Sequence, residues 1–291
     1  MNVLQALVLG LLQGATEFIP VSSSGHLTLV PWLLNWTFDP TLKAAFDALT
    51  HWGTLAALAA VFWRELWGIT IAGLRTLRGP DRQEASTQAA PWIDCFRARV
   101  RNDAQARLAW WIVIGSIPAA AIGFALEDFF EMLFGAPPIV SALLLVTAGL
   151  LAFSEWRGGQ GRGLEDLNWI DAIAIGLGQA AAIAPGISRS GATIASGLVR
   201  GLRREAAARF SFLLSTPVIL GAGVWQLKDL IAHSEWAGHL APLAVGLLAS
   251  AVSGYACIRF LLNYLRKGKL YPFAVYCALA GTACLLISLS R

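Results

Sequence analysis

The stretch Q-G-A-T-E-F-I-P-V-S-S-S-G-H, residues 13–26, sets a carboxylate, three consecutive serines and an imidazole inside an otherwise apolar run. Pro20 and Gly25 prevent one smooth helix from passing through it, since proline has no N–H to donate and glycine is a weak helix former. A helix that stops there can restart after the break, with a serine as its N-cap. Whether that break lies at membrane depth depends on the rest of the chain.

Of 291 residues, 56% are hydrophobic and only 14% charged, where soluble domains carry about 25%. That balance predicts a polytopic membrane protein. Apolar stretches of spanning length, roughly 17–25 residues, occur at about 42–63, 108–126, 138–156, 206–227, 240–262 and 271–290. Two further apolar regions, 2–34 and 169–202, are interrupted by Pro, Gly and Ser. The net charge of +4 sits in short loops and does not point to a nucleic acid. Cys95, Cys257, Cys277 and Cys284 show no metal-binding spacing and read as small apolar side chains. The N-terminal run lacks a basic leader and an A-x-A site, so it reads as mature protein.

A second broken stretch, P-G-I-S-R-S-G-A-T at 185–193, is related to the first. A shift of 166 positions superposes Gly10, Leu11 and Gln13 on Gly176, Leu177 and Gln179, and Ser22, Ser24 and Gly25 on Ser188, Ser190 and Gly191. Charge distribution tests the repeat. Arg64, the polar segment 75–107, Arg157 with Arg162, the arginines of 200–209, and Arg266 with Lys269 all fall on one side if basic residues mark cytoplasmic loops. The opposing loops carry only Lys43 and Lys228. These assignments agree only if 2–34 and 169–202 each enter and leave on the same side. The expectation is therefore an all-α, single integral membrane domain with six spanning helices and two re-entrant helical hairpins. They form inverted-topology repeats of about 1–156 and 167–291, with a polar cytoplasmic loop at about 75–107 that holds a short surface helix. Such folds place polar sites near the midplane, where broken helices meet.

The side chains that gather there carry chemistry. Gln13 and Glu17, four apart, share a helix face. Ionisable groups at this depth are costly and mark function, which singles out Glu17, His26 and Arg189; a structural ion pair is the plainer alternative. Ser22, Ser24, Ser188 and Ser190, with Thr193, can hydrogen-bond a ligand, and helix capping explains Ser22, Ser24 and Ser190 equally well. A serine near an imidazole can be an activated nucleophile, and the Arg189 guanidinium suits a tetrahedral oxyanion. Glu17 can orient His26, donate a proton, or hold a divalent cation. Asp47 and His51, another i, i+4 pair, either support the site from behind or share an intrahelical hydrogen bond.

Together, residues 13–26 and 185–193 resemble the two signature motifs of the undecaprenyl-pyrophosphate phosphatases, the bacitracin-resistance family. The likeness extends to F-D-A-L-T-H-W-G-T (46–54) and F-S-F-L-L-S-T-P (210–217), and so across the chain. It implies a multi-pass enzyme of the bacterial inner membrane whose site opens to the periplasm. There it would hydrolyse undecaprenyl pyrophosphate, a polyprenyl lipid, to the monophosphate carrier of peptidoglycan synthesis, with Mg or Ca as cofactor. By position, Glu17 belongs to the acidic motif and is the metal candidate, Ser23 is the nucleophile, and His26 is its base or acid. Arg189, Ser188 and Thr193 would hold pyrophosphate. Gln13 stands where many members carry Glu, leaving one carboxylate fewer for a cation. A homodimer is among the assemblies open to it. The competing expectation is a lipid-phosphate or anion transporter of the same architecture. A different membrane phosphatase class is excluded, because no histidine follows Arg189 at the spacing that class needs.

Overall fold

The computed structural model describes residues 1–78, 92–158, 161–232 and 238–291. Among them the chain is helical, with no strand beyond an isolated bridge between Arg162 and Leu202. The helices are α1 (Val3–Phe18), α2 (Ser23–Leu33), α3 (Pro40–Thr76), α4 (Trp92–Asn102), α5 (Ala104–Ala125), α6 (Glu127–Phe134), α7 (Pro137–Arg157), α8 (Trp169–Ala181), α9 (Arg189–Val199), α10 (Arg204–Ala232), α11 (Leu240–Leu265) and α12 (Tyr271–Ser290). Six of these, α3, α5, α7, α10, α11 and α12, are long and apolar enough to cross a membrane.

The remaining apolar helices are too short to span. α1 has 16 residues, α8 has 13, and α2 and α9 have 11 each. At 1.5 Å per residue none exceeds about 24 Å, against a hydrocarbon thickness of about 30 Å. Their ends are built alike. Asn2 caps α1 and Asn168 caps α8, each in a reciprocal box with the third helical residue, Gln5 or Asp171. Pro20 ends the first arm, and Gly186 at φ 100° turns the chain in the second. Ser22 then caps α2 by accepting the Gly25 N–H at 3.2 Å, and Ser188 caps α9 by accepting that of Gly191 at 3.0 Å. The two arms of each pair pack on one another.

Packing between the halves follows the same correspondence. α1 lies along α11, and α8 lies along α5. Both contacts are close enough to exclude a side chain. A methyl on Gly10 would sit 2.5 Å from the Gly246 carbonyl, and one on Gly176 would strike the carbonyl of Gly115. Small residues at such crossings are the usual means of helix association in lipid. α7 and α12 pack together, as do α3 and α10. Phe212 of α10 meets Phe18 and Phe62 edge-on, with ring centroids 5.4 and 6.3 Å apart.

The first span is longer than the sequence suggests. α3 runs 37 residues with one irregular position at Phe62, and its C-terminal half continues past 63 to Thr76. No proline or cap stops it there, and Glu65 on this extension pairs with Arg209 of α10. α4 supplies the surface helix expected within 75–107; residues 79–91 of that segment lie outside the described ones. α6 lies between the spans α5 and α7. Buried acids fasten the basic side. Asp171 accepts from Arg162, from Arg200 at 2.7 Å and from its own cap, the Asn168 N–H. Glu155 of α7 accepts from Arg204 of α10 and from the Leu270 N–H at the start of α12.

The α1–α11 crossing generates a test. Gly10→Leu should destabilise the purified protein by about 1–3 kcal/mol or more, seen as a lower thermal midpoint in detergent. Gly149→Ala, where a new methyl meets nothing within 4 Å, should leave the midpoint unchanged or slightly raised.

Candidate active site

Glu17 is the centre of the site. It sits one residue before the end of α1, its side chain 5% exposed. Gln13, a turn earlier, donates Nε2–H to Oε2 at 3.0 Å, as their spacing requires. Ser23, the first residue of α2, donates Oγ–H to the same oxygen at 2.6 Å. Arg189, the first residue of α9, pairs with the other oxygen, Oε1. His51 of α3 completes the ring, with Nε2 at 3.9 Å from Oε2.

Four elements from both halves thus converge on one carboxylate. The two turns are also stitched directly. Gly186 N–H donates to Ser24 Oγ at 3.4 Å, and Ser190 Oγ donates to the Ile19 carbonyl at 3.3 Å. Within each turn the cap serine lies beside its partner: Ser22 and Ser24 oxygens are 3.3 Å apart, Ser188 and Ser190 oxygens 3.2 Å. Thr147 of α7 anchors the second turn, donating to the Gly186 carbonyl at 2.9 Å and accepting the Ser188 N–H at 3.0 Å.

Several expected residues take different positions. Ser23 and His26 do not pair. Ser23 is held by Glu17, while His26 Nδ1 lies 2.7 Å from the Ser22 carbonyl and its Nε2 lies 2.7 Å from Tyr276 Oη. Each is engaged by a different neighbour: Glu17 of α1 takes the Ser23 hydroxyl, and the Ser22 carbonyl and Tyr276 of α12 take the His26 ring. Thr193 is buried behind Arg189, bonded to the Arg189 carbonyl at 2.7 Å and to Ser211 at 2.6 Å, so it steadies α9. Asp47 turns its carboxylate to Lys43 and serves His51 only through its main-chain carbonyl, 2.7 Å from Nδ1. His51 itself reaches Glu17. Ser188 and Ser22 act as caps.

Tyr276, Thr147 and Ser211 were not singled out by sequence. Ser211 lies within the recognisable F-S-F-L-L-S-T-P, whereas Tyr276 and Thr147 sit in unbroken apolar spans with no local signal. Among the described residues three buried side-chain oxygens have no hydrogen-bond partner: Oε1 of Gln13, Oε1 of its repeat counterpart Gln179, and Oε2 of Glu65. No group of three His, Cys, Asp or Glu that could hold a metal occurs among the described residues.

Residues 6–283 match the family model described as bacitracin resistance protein BacA. A protein of Geobacter metallireducens is 40% identical over 287 residues, covering 98% of both chains. One of Moorella thermoacetica is 42% identical over 277 residues, covering 95% of this chain and 94% of the relative. One of Pelotomaculum thermopropionicum is 38% identical over 291 residues, covering all of this chain and 98% of the relative. All three bear the name undecaprenyl-diphosphatase. With six helices able to cross a membrane, two broken-helix motifs and a family match spanning nearly its whole length, this multi-pass membrane protein belongs to the BacA family.

Proposed function

We propose that the chain hydrolyses undecaprenyl pyrophosphate to undecaprenyl phosphate and inorganic phosphate, with Ser23 as nucleophile, Glu17 as its base and Arg189 as the anchor for phosphate. The observation that carries this reading is the convergence of Ser23 and Arg189 on the two oxygens of buried Glu17. The serine proton already points at a carboxylate. Arg189 is held by the same carboxylate, and a pyrophosphate offers the guanidinium a stronger, bidentate partner. When Arg189 turns to substrate, Glu17 loses its counter-charge and becomes a better acceptor for the Ser23 proton. Ser23 Oγ then forms a bond to the terminal phosphorus, the bridging P–O bond breaks, and undecaprenyl phosphate leaves. Water hydrolyses the phosphoserine, releasing inorganic phosphate. Water activated by Glu17 and attacking directly is the other route open to the same groups.

The short paired helices support a re-entrant placement, with α1–α2 and α8–α9 as hairpins of two inverted repeats. The site lies toward the arginine-poor ends of the helices: Glu17 meets His51, in the N-terminal half of α3, while Arg75 marks that helix's other end. The positive-inside rule then assigns the site to the periplasmic face of the inner membrane, with the isoprenoid tail in lipid.

A divalent cation fits the donor set. Gln13 Oε1 is buried without a partner, on the amide whose Nε2–H donates to the Glu17 carboxylate, the same carboxylate that accepts from Ser23 Oγ. All three are oxygens, as Mg or Ca prefers, and Mg is often held by one carboxylate plus substrate phosphates. Bound there, the cation would neutralise charge on the phosphoryl oxygens.

Phosphate release by the purified protein from undecaprenyl and farnesyl pyrophosphates tests the reading. Ser23→Ala and Glu17→Gln should each lose about 10³-fold or more in kcat. Arg189→Ala should lose about 10–100-fold in kcat/KM, partly through KM, as expected for charged hydrogen bonds to phosphate. Wild-type protein that releases no more phosphate than Arg189→Ala would refute hydrolysis, and full activity in Ser23→Ala would move the nucleophile to water. For the cation, chelation should abolish turnover, Mg or Ca should restore it, and Gln13→Glu should reduce the cation concentration for half-maximal rate by about tenfold.

A further inference from the structure

His26 has both ring nitrogens engaged away from Ser23. The Ser22 carbonyl can only accept, so Nδ1, 2.7 Å from it, carries a proton. In the neutral ring Nε2 is then an acceptor, and the group 2.7 Å away is the hydroxyl of Tyr276, which donates to it. The two rings are nearly parallel, 8° apart in plane and 5.6 Å between centroids. Tyr276 is on α12, 250 positions along the chain and outside both motifs.

What the imidazole holds is the residue before the nucleophile. Ser22 adopts φ 72°, ψ 100°, a left-handed conformation that a residue with a Cβ seldom takes and that persists only where its surroundings enforce it. Three contacts do so. The Ser22 carbonyl accepts from both the His26 ring and the His26 N–H, the latter at 3.2 Å. The Ser22 hydroxyl accepts the Gly25 N–H. Next to Tyr276, Cys277 Sγ lies 3.8 Å from the Pro20 carbonyl, so consecutive residues of α12 grip the same turn. If that turn relaxed, Ser23 would be the first side chain to swing away from Glu17.

We propose that Tyr276 is a positioning residue of the active site: through His26 it locks the Ser22 turn and so aims the Ser23 hydroxyl at Glu17. Its own hydroxyl touches neither Ser23 nor Glu17. The assignment replaces a general-base role for His26, since taking the Ser23 proton would require Nε2 or Nδ1 to abandon its present partner. It rests on the hydrolase reading above.

The test combines kinetics with an observation on the unaltered protein. Tyr276→Phe removes one hydroxyl and should lower kcat about tenfold, the scale of one hydrogen bond, with KM within about twofold and the thermal midpoint unchanged. His26→Ala should fall at least as far, yet less than Ser23→Ala. Adding Tyr276→Phe to His26→Ala should change nothing further, because the two act as one unit. An unchanged kcat in Tyr276→Phe, a loss confined to KM, or an equal loss in the His26→Ala background would each overturn the proposal. Should Tyr276→Phe fail to fold, the ring nitrogen-15 spectrum of wild-type His26 at neutral pH decides. A neutral ring protonated on Nδ1 is expected; one protonated on Nε2, or on both nitrogens, would overturn it. Absence of wild-type phosphate release would refute hydrolysis itself, and the spectrum reads the Tyr276 contact independently of that.

Discussion

The ion pair between Glu17 and Arg189 is the constraint on which the remaining structure depends. A carboxylate this deeply buried loses its hydration, and several kcal/mol of that loss must be offset locally. Glu17 recovers it from a guanidinium 172 positions away, a serine hydroxyl and a glutamine amide. The guanidinium contact forms only when both helical breaks come to the same depth. The pair therefore couples the two halves: either partner alone would leave an uncompensated charge inside an apolar bundle. Glycine crossings at Gly10 with Gly246 and Gly176 with Gly115 let the short arms lie against α11 and α5. Serine caps then satisfy an N–H in the first turn of each returning helix, that of Gly25 and that of Gly191.

The two hairpins share their backbone devices and differ in chemistry. Asn2 and Asn168 start the arms, Ser22 and Ser188 cap the returns, and Ser24 and Ser190 sit beside the caps. At the corresponding functional positions the halves diverge. Ile183 stands opposite Glu17, Arg189 opposite Ser23, and Ala192 opposite His26. One scaffold copy keeps acid and hydroxyl, the other supplies the cation that balances them. Separation of this kind keeps Ser23 and Arg189 on different helices.

A buried network in which every donor points at one acceptor is also a statement about readiness. Ser23 and Arg189 are both partly exposed, whereas Glu17 and Gln13 are buried. An incoming phosphate can therefore reach the hydroxyl and the guanidinium without unpacking α1. This arrangement satisfies charge internally, and in the proposed reaction the substrate would compete for Arg189.

Much of this was legible in the chain itself. Hydropathy sufficed for the six spans because a spanning helix must be apolar over a length set by lipid. Pro20, Gly186 and the serines marked the breaks, since proline and glycine disfavour a continuing helix and serine favours the cap that starts a new one. The spacing of Gln13 and Glu17 placed them on one face, and a costly carboxylate and guanidinium in apolar surroundings announced a site. Pairings across the bundle were beyond it. That Ser23 belongs to Glu17, that His26 belongs to Tyr276, and that Asp47 turns outward to Lys43 are decided by the relative rotation and depth of packed helices. Those depend on contacts hundreds of residues apart, and a local pattern cannot encode them: periodicity says which side of a helix a residue occupies, while only the packed tertiary structure says what that side faces.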